Sequence, residues 1–371
     1  MTGGDTAATR ATVGGTAAAA ATAGTTTWAP AVIAPPSAAA RAAAHDRLAG
    51  LATPAGAWGR LGELAVWLSA CQDRCPPRVP AAVRAVVFAG DHGVTVRGVS
   101  AYPAAVTPAM VRTIVGGGAG ISVLCAVHDV ALRVLDISVD DELTGVPEAV
   151  RAHKIRRGSG SIDVEDACSA DEVRRALAAG AAVADEEIAA GADLLVSGDL
   201  GIGNTTPAAA LIGAVLGLDA DLVTGRGTGV DDIALAQKAS VVRAAVDRVA
   251  PRVGDPVDLL AAAGGADFAA AAGFLVRAAE RGVPVLLDGV IAVAQALVAD
   301  RIAPGVAAWC AAGHRSTEPA QSLALQALGL VPLLDLGMRL GEGTGAVAAV
   351  PLVRSAAAIL GRMALLADVL A

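Results

Sequence analysis

Five short apolar runs recur along the chain, and what separates them is largely helical in pattern. The runs are AVVFA (85–89), ALRVLDI (131–137), DLLV (193–196), VPVLL (283–287) and VAAWC (306–310). None alternates cleanly between apolar and polar residues, so each reads as a strand buried on both faces. Stretches such as Ala170 to Ala189 and Asp231 to Val249 carry the helical period. Buried strands alternating with helices predict a parallel sheet with helices on both sides. The expected fold class is α/β, a three-layer α/β/α arrangement around a mainly parallel sheet. Helical patterns over Ser37 to Ala52 and Gly59 to Ala70 precede the first strand, the second with Leu61, Leu64, Trp67 and Leu68 at helical spacing. With a C-terminal helix at 343–371 packing back, they predict a smaller helical domain built from terminal segments. The expected divisions are a low-complexity flexible tail at 1–36, N-terminal helices at 37–80 and the α/β domain at 81–371.

Composition excludes several classes. Of 371 residues, 54% are hydrophobic and 17% charged, which marks a globular chain rather than a disordered one. The net charge is −8, with no basic run and no pattern of stacking aromatics, so nucleic acid is not an expected partner. Hydropathy is high because alanine is abundant. The longest suspect segment, Thr205 to Leu218, falls short of the ~20 residues of a membrane span. The C-terminal apolar run is broken by Arg354 and Arg362, so no membrane helix is expected. Cys71 and Cys75, at helical spacing, read as one face of a structural helix rather than a zinc site. Five scattered cysteines and no secretory signal point to a cytoplasmic protein.

The turns after the strands carry the chemistry. GDHGV (90–94), SGDLGIGNTTP (197–207), DGV (288–290) and AAGHRSTEPA (311–320) each combine glycine with acids, histidine, asparagine or hydroxyls. Ligands of open α/β sheets bind beyond the carboxyl ends of the strands, so these four turns predict one site. In the second turn, bare backbone and a helix N-terminus would suit an anion, with Asn204, Thr205 and Thr206 as caps and donors. An ordinary capped turn would look the same. TGRGTGVDD (224–232) is a second glycine-rich helix start, with Asp231 or Asp232 as its cap. Lys238, one to two turns further on, either reaches an anion there or is solvated. In MRLGEGTGA (338–346), Glu342 stands between Gly341 and Gly343 before a long helix. It would either stabilise that helix N-terminus or serve as an uncrowded general base. His314 and Ser316 suggest a hydrolase triad, but no GxSxG turn is present.

Taken in order, FAGDHGV, GVSAYPAAVTPAM, SGDLGIGNTTPAAAL, TGRGTGVDD, LLDGVIA, GHRSTEP and LGMRLGEGTGA resemble the nicotinate-nucleotide–dimethylbenzimidazole phosphoribosyltransferase family, over roughly residues 40–371. The resemblance implies transfer of ribose 5-phosphate from nicotinate mononucleotide to 5,6-dimethylbenzimidazole, with inversion at the anomeric carbon, as a step of cobalamin lower-ligand synthesis. It implies a homodimer, and no metal or cofactor. Glu342 would be the base. Gly201, Gly203, Asn204, Thr205, Thr206, Lys238 and Ser316 would hold phosphate and ribose. Arg339, Leu340 and Gly341 would line the pocket, with Ser100 and Tyr102 on the benzimidazole side. Asp199 and Asp288 belong to the same substrate site, and His92 lines it or sits just behind it. The chemistry is consistent: a pyridinium leaving group needs no strong acid, and one carboxylate suffices to take the proton of the attacking base. The chain departs from the family pattern at Asp199, where glutamate is usual, and at Ala109, where glutamine is common. A different aromatic base on the same scaffold, or non-catalytic nucleotide binding, are the competing readings.

Overall fold

The computed structural model describes residues 29, 30 and 32–371, so most of the expected tail at 1–36 lies outside the described residues. Strands β1 (Val83–Gly90), β2 (Val130–Ser138), β3 (Leu194–Leu200), β4 (Val285–Leu287) and β5 (Cys310–Ala312) form one sheet in the order β2-β1-β3-β4-β5. Every neighbouring pair is parallel. Successive side chains point to opposite faces. Leu194 and Val196 join Val83, Ala85 and Val87 in one core, while Leu195 joins Val86 and Phe88 in the other. The second of these cores is closed by helices Ala170–Ala189, Thr205–Leu216, Asp232–Val249, Ala266–Glu280, Val290–Ile302 and Pro319–Ala327. Helices Ala38–Ala49, Gly59–Cys71, Val106–Val115, Gly120–Val127 and Thr344–Arg362 close the first. This is the three-layer α/β/α fold expected from the strand pattern. The terminal segments meet on one face, where Ala52 N donates to Ala364 O at 3.0 Å and Leu366 N to Gly50 O at 2.9 Å.

Local chemistry explains most boundaries. The Ala170–Ala189 helix starts with a reciprocal capping box between Ser169 and Glu172. Asp231 rather than Asp232 caps the next long helix, accepting from Ala234 N at 2.8 Å. Four expectations need correction. VAAWC is not a strand throughout. Val306–Trp309 is a short 3₁₀ turn, held by Asp300 Oδ1 accepting from Gly305 N and Ala307 N at 3.1 and 2.9 Å, and β5 starts at Cys310. β3 does not stop at Val196. It stays paired with β1 as far as Leu200, which carries Asp199 on the sheet itself. Cys71 ends its helix and Cys75 lies beyond it, so they share no helical face. Finally, Arg354 and Arg362 do not break the C-terminal apolar run. Thr344–Arg362 is one helix, long and apolar enough by composition to cross a membrane, with 56% of its apolar window buried. Arg354 fits because it donates to Pro80 O at 3.0 Å and to His128 O at 2.6 Å. Val106–Val127 passes the same length test only as two helices separated by a turn at Gly116–Gly118.

The abundance of small residues has a packing cause. Helices Ala170–Ala189 and Ala266–Glu280 cross with their backbones in contact. A Cβ on Gly180 would lie 1.7 Å from Ala270 O, and one on Gly273 would lie 2.1 Å from Leu177 O. Only glycine fits at this crossing, and forced overpacking typically costs about 1–3 kcal/mol. Gly180→Val is expected to lose at least about that much stability in chemical denaturation. Wild-type stability in this variant would show that the helices separate freely.

Candidate active site

The strand order reverses between β1 and β3, which opens a crevice at their carboxyl ends. A cavity of about 430 Å³ lies at this edge, beyond the ends of β3, β4 and β5. Of the residues expected there, Ser100, Tyr102, Asp199, Gly201, Gly203, Asn204, Thr205, Asp288, Ser316, Arg339, Leu340, Gly341 and Glu342 line it. His92, Thr206 and Lys238 do not.

Glu342 is placed by its backbone. Gly341, Glu342 and Gly343 are all left-handed, with φ of 84°, 63° and 94°. For glutamate this conformation costs about 1–2 kcal/mol, so the surroundings must enforce it. Two contacts do so. Glu342 N donates to Asp199 O at 3.2 Å. Gly198 on β3 lies directly beneath, where a Cβ would be 2.5 Å from Glu342 O. The helix that comes next is capped by a different acid. Asp288 Oδ2 accepts from Gly343 N at 3.1 Å, and Oδ1 accepts from Gly345 N and Ala346 N at 2.8 and 3.1 Å. The helix-stabilising role that the sequence allowed for Glu342 therefore belongs to Asp288. Glu342 is 4% exposed, and its Oε2 has no hydrogen-bond partner. Burial raises its pKa above the ordinary glutamate value; the Ile121 amide opposes this and the nearby Asp288 charge adds to it.

Asp288 behaves oppositely. Burial opposes its charge, but His314 and the helix amides outweigh this and hold its pKa below the usual range. His314 Nε2 stands 3.3 Å from Asp288 Oδ1. A Cβ on Gly345 would be 2.0 Å from His314 Cδ2, so the imidazole is packed flat on the helix start. His314 thus serves Asp288 rather than a Ser316 nucleophile. Ser316 N donates to Gln321 Oε1 at 2.6 Å, and its hydroxyl accepts from Glu318 N at 3.4 Å.

The 199–206 turn differs in detail from its expected form. Asp199 accepts from Asn204 Nδ2 and from Gln295 Nε2, each at 2.8 Å. Asn204 donates its Nδ2 to Asp199, and its side chain makes no cap hydrogen bond. Thr205 Oγ1 pairs with Lys238 Nζ at 2.7 Å, while Thr206 is wholly buried with an unpartnered hydroxyl. Lys238 is neither solvated nor at the cavity surface. It is fully buried, and desolvation lowers its pKa to about 8 against the opposing pull of Glu318. Gly201 and Gly203 face the β1 loop with their missing side chains: a Cβ would lie 2.2 Å from Gly90 O or 2.8 Å from Thr95 Cγ2. His92 lies behind Gly201, 2% exposed, with Nε2 at 3.0 Å from Asp267 Oδ2.

Several lining residues carried no sequence signal as site residues. Glu318 reads as a helix-start acid, yet its Oε1 accepts from Gly227 N at 2.8 Å and anchors the 225–229 loop. Thr228 Oγ1 accepts from Ala101 N at 2.8 Å and pairs with Ser100 Oγ at 3.1 Å, joining two rims of the cavity. Val99, Val106, Met110, Ile202 and Ile291 form an apolar wall. Ala109 is exposed and outside the lining; its neighbour Met110 faces the cavity instead. The cavity thus offers an apolar wall for a flat ring, a polar turn at a helix N-terminus and one buried carboxylate with an unpartnered oxygen.

A parallel sheet with its cavity at the switch point, fitted for a ring and an anion, defines an α/β enzyme of group transfer rather than of triad hydrolysis. Residues 33–369 match the family described as Phosphoribosyltransferase, and the chain belongs to that family. It is 53% identical over 336 residues to a nicotinate-nucleotide–dimethylbenzimidazole phosphoribosyltransferase of Mycolicibacterium paratuberculosis, covering 91% of this chain and 96% of that one. It is 54% identical over 332 residues to the enzyme of the same name from Mycobacterium tuberculosis, covering 90% and 91%. The crystal structure of CobT from Thermus thermophilus superposes with a TM-score of 0.85 at 44% identity, covering 89% of this chain and 98% of that one.

Asp288 gives a direct test of this geometry. Its folded pKa lies below its unfolded one, so its contribution is present above the unfolded value, about pH 4, and is lost as pH falls through the folded value. Asp288→Ala is expected to cost about 1–3 kcal/mol at neutral pH, since buried amides lose their acceptor. The gap to wild type should narrow on acidification. A gap that is absent at neutral pH, or that widens in acid, would contradict the assignment.

Proposed function

We propose that this chain transfers the ribose 5-phosphate of nicotinate mononucleotide to 5,6-dimethylbenzimidazole, giving α-ribazole 5-phosphate and nicotinate, in the assembly of the cobalamin lower ligand. The observation that carries the mechanism is Glu342, buried at the cavity wall with Oε2 unpartnered while Asp199, Asp288 and Glu318 are all engaged. The names of the relatives support the choice of substrates.

The phosphate and ribose occupy the turn from Gly201 to Thr206 and Ser316, with Lys238 acting through Thr205 rather than by contact. The benzimidazole packs on Val106 and Met110 beside Ser100 and Tyr102, with Arg339, Leu340 and Gly341 closing the rim. One ring nitrogen attacks C1 of the ribose as its N–H partner gives its proton to Glu342. The C1–nitrogen bond to the pyridinium breaks, and its electron pair neutralises the departing nicotinate ring. Attack opposite the leaving group inverts the anomeric carbon. The leaving group carries its own positive charge, so the step asks for no metal or cofactor. Holding both rings in line supplies much of the acceleration. The enzyme works as a cytoplasmic homodimer on small molecules, without nucleic acid or membrane; the net charge of −8 supports the exclusion of nucleic acid. The terminal helices at 37–80, together with Thr344–Arg362, form its smaller helical unit, packed on one face of the sheet of the α/β domain.

Glu342 must be ionised to accept the proton, and its pKa is raised. Turnover should therefore rise with pH through a value above the ordinary glutamate range. Glu342→Gln is expected to lower kcat by about 10²–10⁴-fold and to abolish that pH limb, with nicotinate mononucleotide affinity nearly unchanged. Near-normal turnover in the variant would remove Glu342 from the mechanism. A panel of aromatic bases assayed on wild type decides between dimethylbenzimidazole and another acceptor.

A further inference from the structure

Two walls of the cavity come from distant parts of the chain, and threonine hydroxyls join them at two levels. At the floor, Thr107 Oγ1, fully buried at the start of the Val106–Val115 helix, accepts from Ile202 N at 3.0 Å. This ties the helix of the apolar wall to the 201–206 turn. At the rim the tie is Thr228. Its Oγ1 accepts from Ala101 N at 2.8 Å and lies 3.1 Å from Ser100 Oγ, which itself accepts from Tyr102 N at 3.2 Å. Residues 100–102 have no regular secondary structure, and Ala101 and Tyr102 are exposed. Among the described residues, no other hydrogen bond reaches this segment from outside it.

Thr228 is held in turn from the sugar side. Gly227 N donates to Glu318 Oε1 at 2.8 Å, and Arg339 Nη1 donates to Gly227 O at 3.4 Å. Gly227 is left-handed, with φ of 52°. A Cβ there would lie 2.7 Å from Thr205 Oγ1 and 2.9 Å from Lys238 Nζ, so this backbone is seated on that pair. Beyond Thr228 the turn closes on itself. Gly229 N and Val230 N donate to Arg226 O at 2.9 and 3.2 Å, and Arg226 Nη1 donates to Val230 O at 2.9 Å. Thr228 therefore stands on a turn fixed on both sides of it, and its hydroxyl bonds to a segment that has no other anchor of this kind.

We propose that Thr228 is a positioning residue for the acceptor ring. Its hydroxyl holds Ser100 and Tyr102 at a set distance from the turn that receives the sugar phosphate, and so aligns the attacking ring nitrogen with the anomeric carbon. Thr228 acts through the segment it holds, not on the reacting atoms. The floor tie at Thr107 is separate, so loss of the rim tie releases the edge of the base side alone. Its cost falls on the ring and not on the nucleotide.

The inference rests on the transferase reading, and its test separates the two. Thr228→Val keeps the shape of the side chain and removes the hydroxyl. The KM for dimethylbenzimidazole should rise about 3–10-fold, the equivalent of a hydrogen bond. Calorimetric affinity for nicotinate mononucleotide and the melting temperature should stay at wild-type values, and Thr228→Ser should restore the KM. A valine variant with the wild-type KM for the base overturns the proposal. So does one in which base and nucleotide weaken together, because a general loosening of the fold does that. Tyr102 is the only tyrosine of the chain, so ¹³C-tyrosine labelling reports on this rim alone. Titration with dimethylbenzimidazole by itself should shift that signal in wild type and need about 3–10-fold more base in Thr228→Val. Equal midpoints, or no response in wild type, also overturn the proposal. Should the valine variant not fold, hydrogen exchange on wild type decides: the Ala101 amide should be protected although its residue is exposed, and unprotected exchange sinks the idea. Wild type that makes no product from the two substrates would instead refute the transferase reading, with the tyrosine titration still deciding the role of Thr228.

Discussion

The hydrogen bonds from the start of the Thr344–Arg362 helix to Asp288 organise the whole site. Asp288 lies at the end of β4, more than fifty residues away in sequence, yet it receives Gly343 N, Gly345 N and Ala346 N. This pins a long helix to the sheet edge and brings the preceding loop across β3. There Gly198 leaves the space that the Glu342 carbonyl fills. Gly341 and Gly343 take the left-handed form readily, and these two fixed points impose it on Glu342 between them. The left-handed strain at Glu342 is small against an anchored helix and a covered strand. Its result is a carboxylate that reaches the cavity with one oxygen, Oε2, unpartnered.

A second constraint shapes the floor. All three acids around the Glu342 loop are needed for structure: Asp288 for the helix, Asp199 for the turn, Glu318 for the 225–229 loop. Each is satisfied by amide or side-chain donors. Asp288, held by the helix amides and His314, has its pKa lowered, whereas burial raises that of Glu342 against the single opposing amide of Ile121. Hydrogen bonding thus sets Asp288 apart from Glu342, the proposed base. His314 belongs to the positioning side, since its ring neighbours Asp288 and packs on Gly345.

The features legible in the sequence were those set by local chemistry. Strand–helix alternation predicted the layers because burial on both faces leaves a continuous apolar run. Glu342 was legible because glycines on either side of an acid before a helix are unusual locally. The features that were not legible depended on distant partners. DGV reads as a turn, and nothing near it reveals that Asp288 caps a helix from far along the chain. Lys238 looks like a surface lysine from its neighbours, yet it is buried beside Thr205. Asn204 has the right residue type for a cap, but its side chain holds Asp199 from another element and makes no cap bond. Val106, Met110 and Ile202 are indistinguishable in sequence from core residues, because a cavity wall and a core use the same side chains. VAAWC failed as a strand because Asp300, outside the run, winds its first residues into a turn.

The departure at Asp199 can be placed within this scheme. A glutamate there, as the family pattern usually has, would reach about one methylene further. In this chain the shorter aspartate is already bound on both oxygens, by Asn204 from its own turn and by Gln295 from the Val290–Ile302 helix. A longer side chain could not keep both amides without moving the turn or intruding into the cavity. The aspartate is therefore matched to Gln295, and the two residues form one unit with the turn they hold.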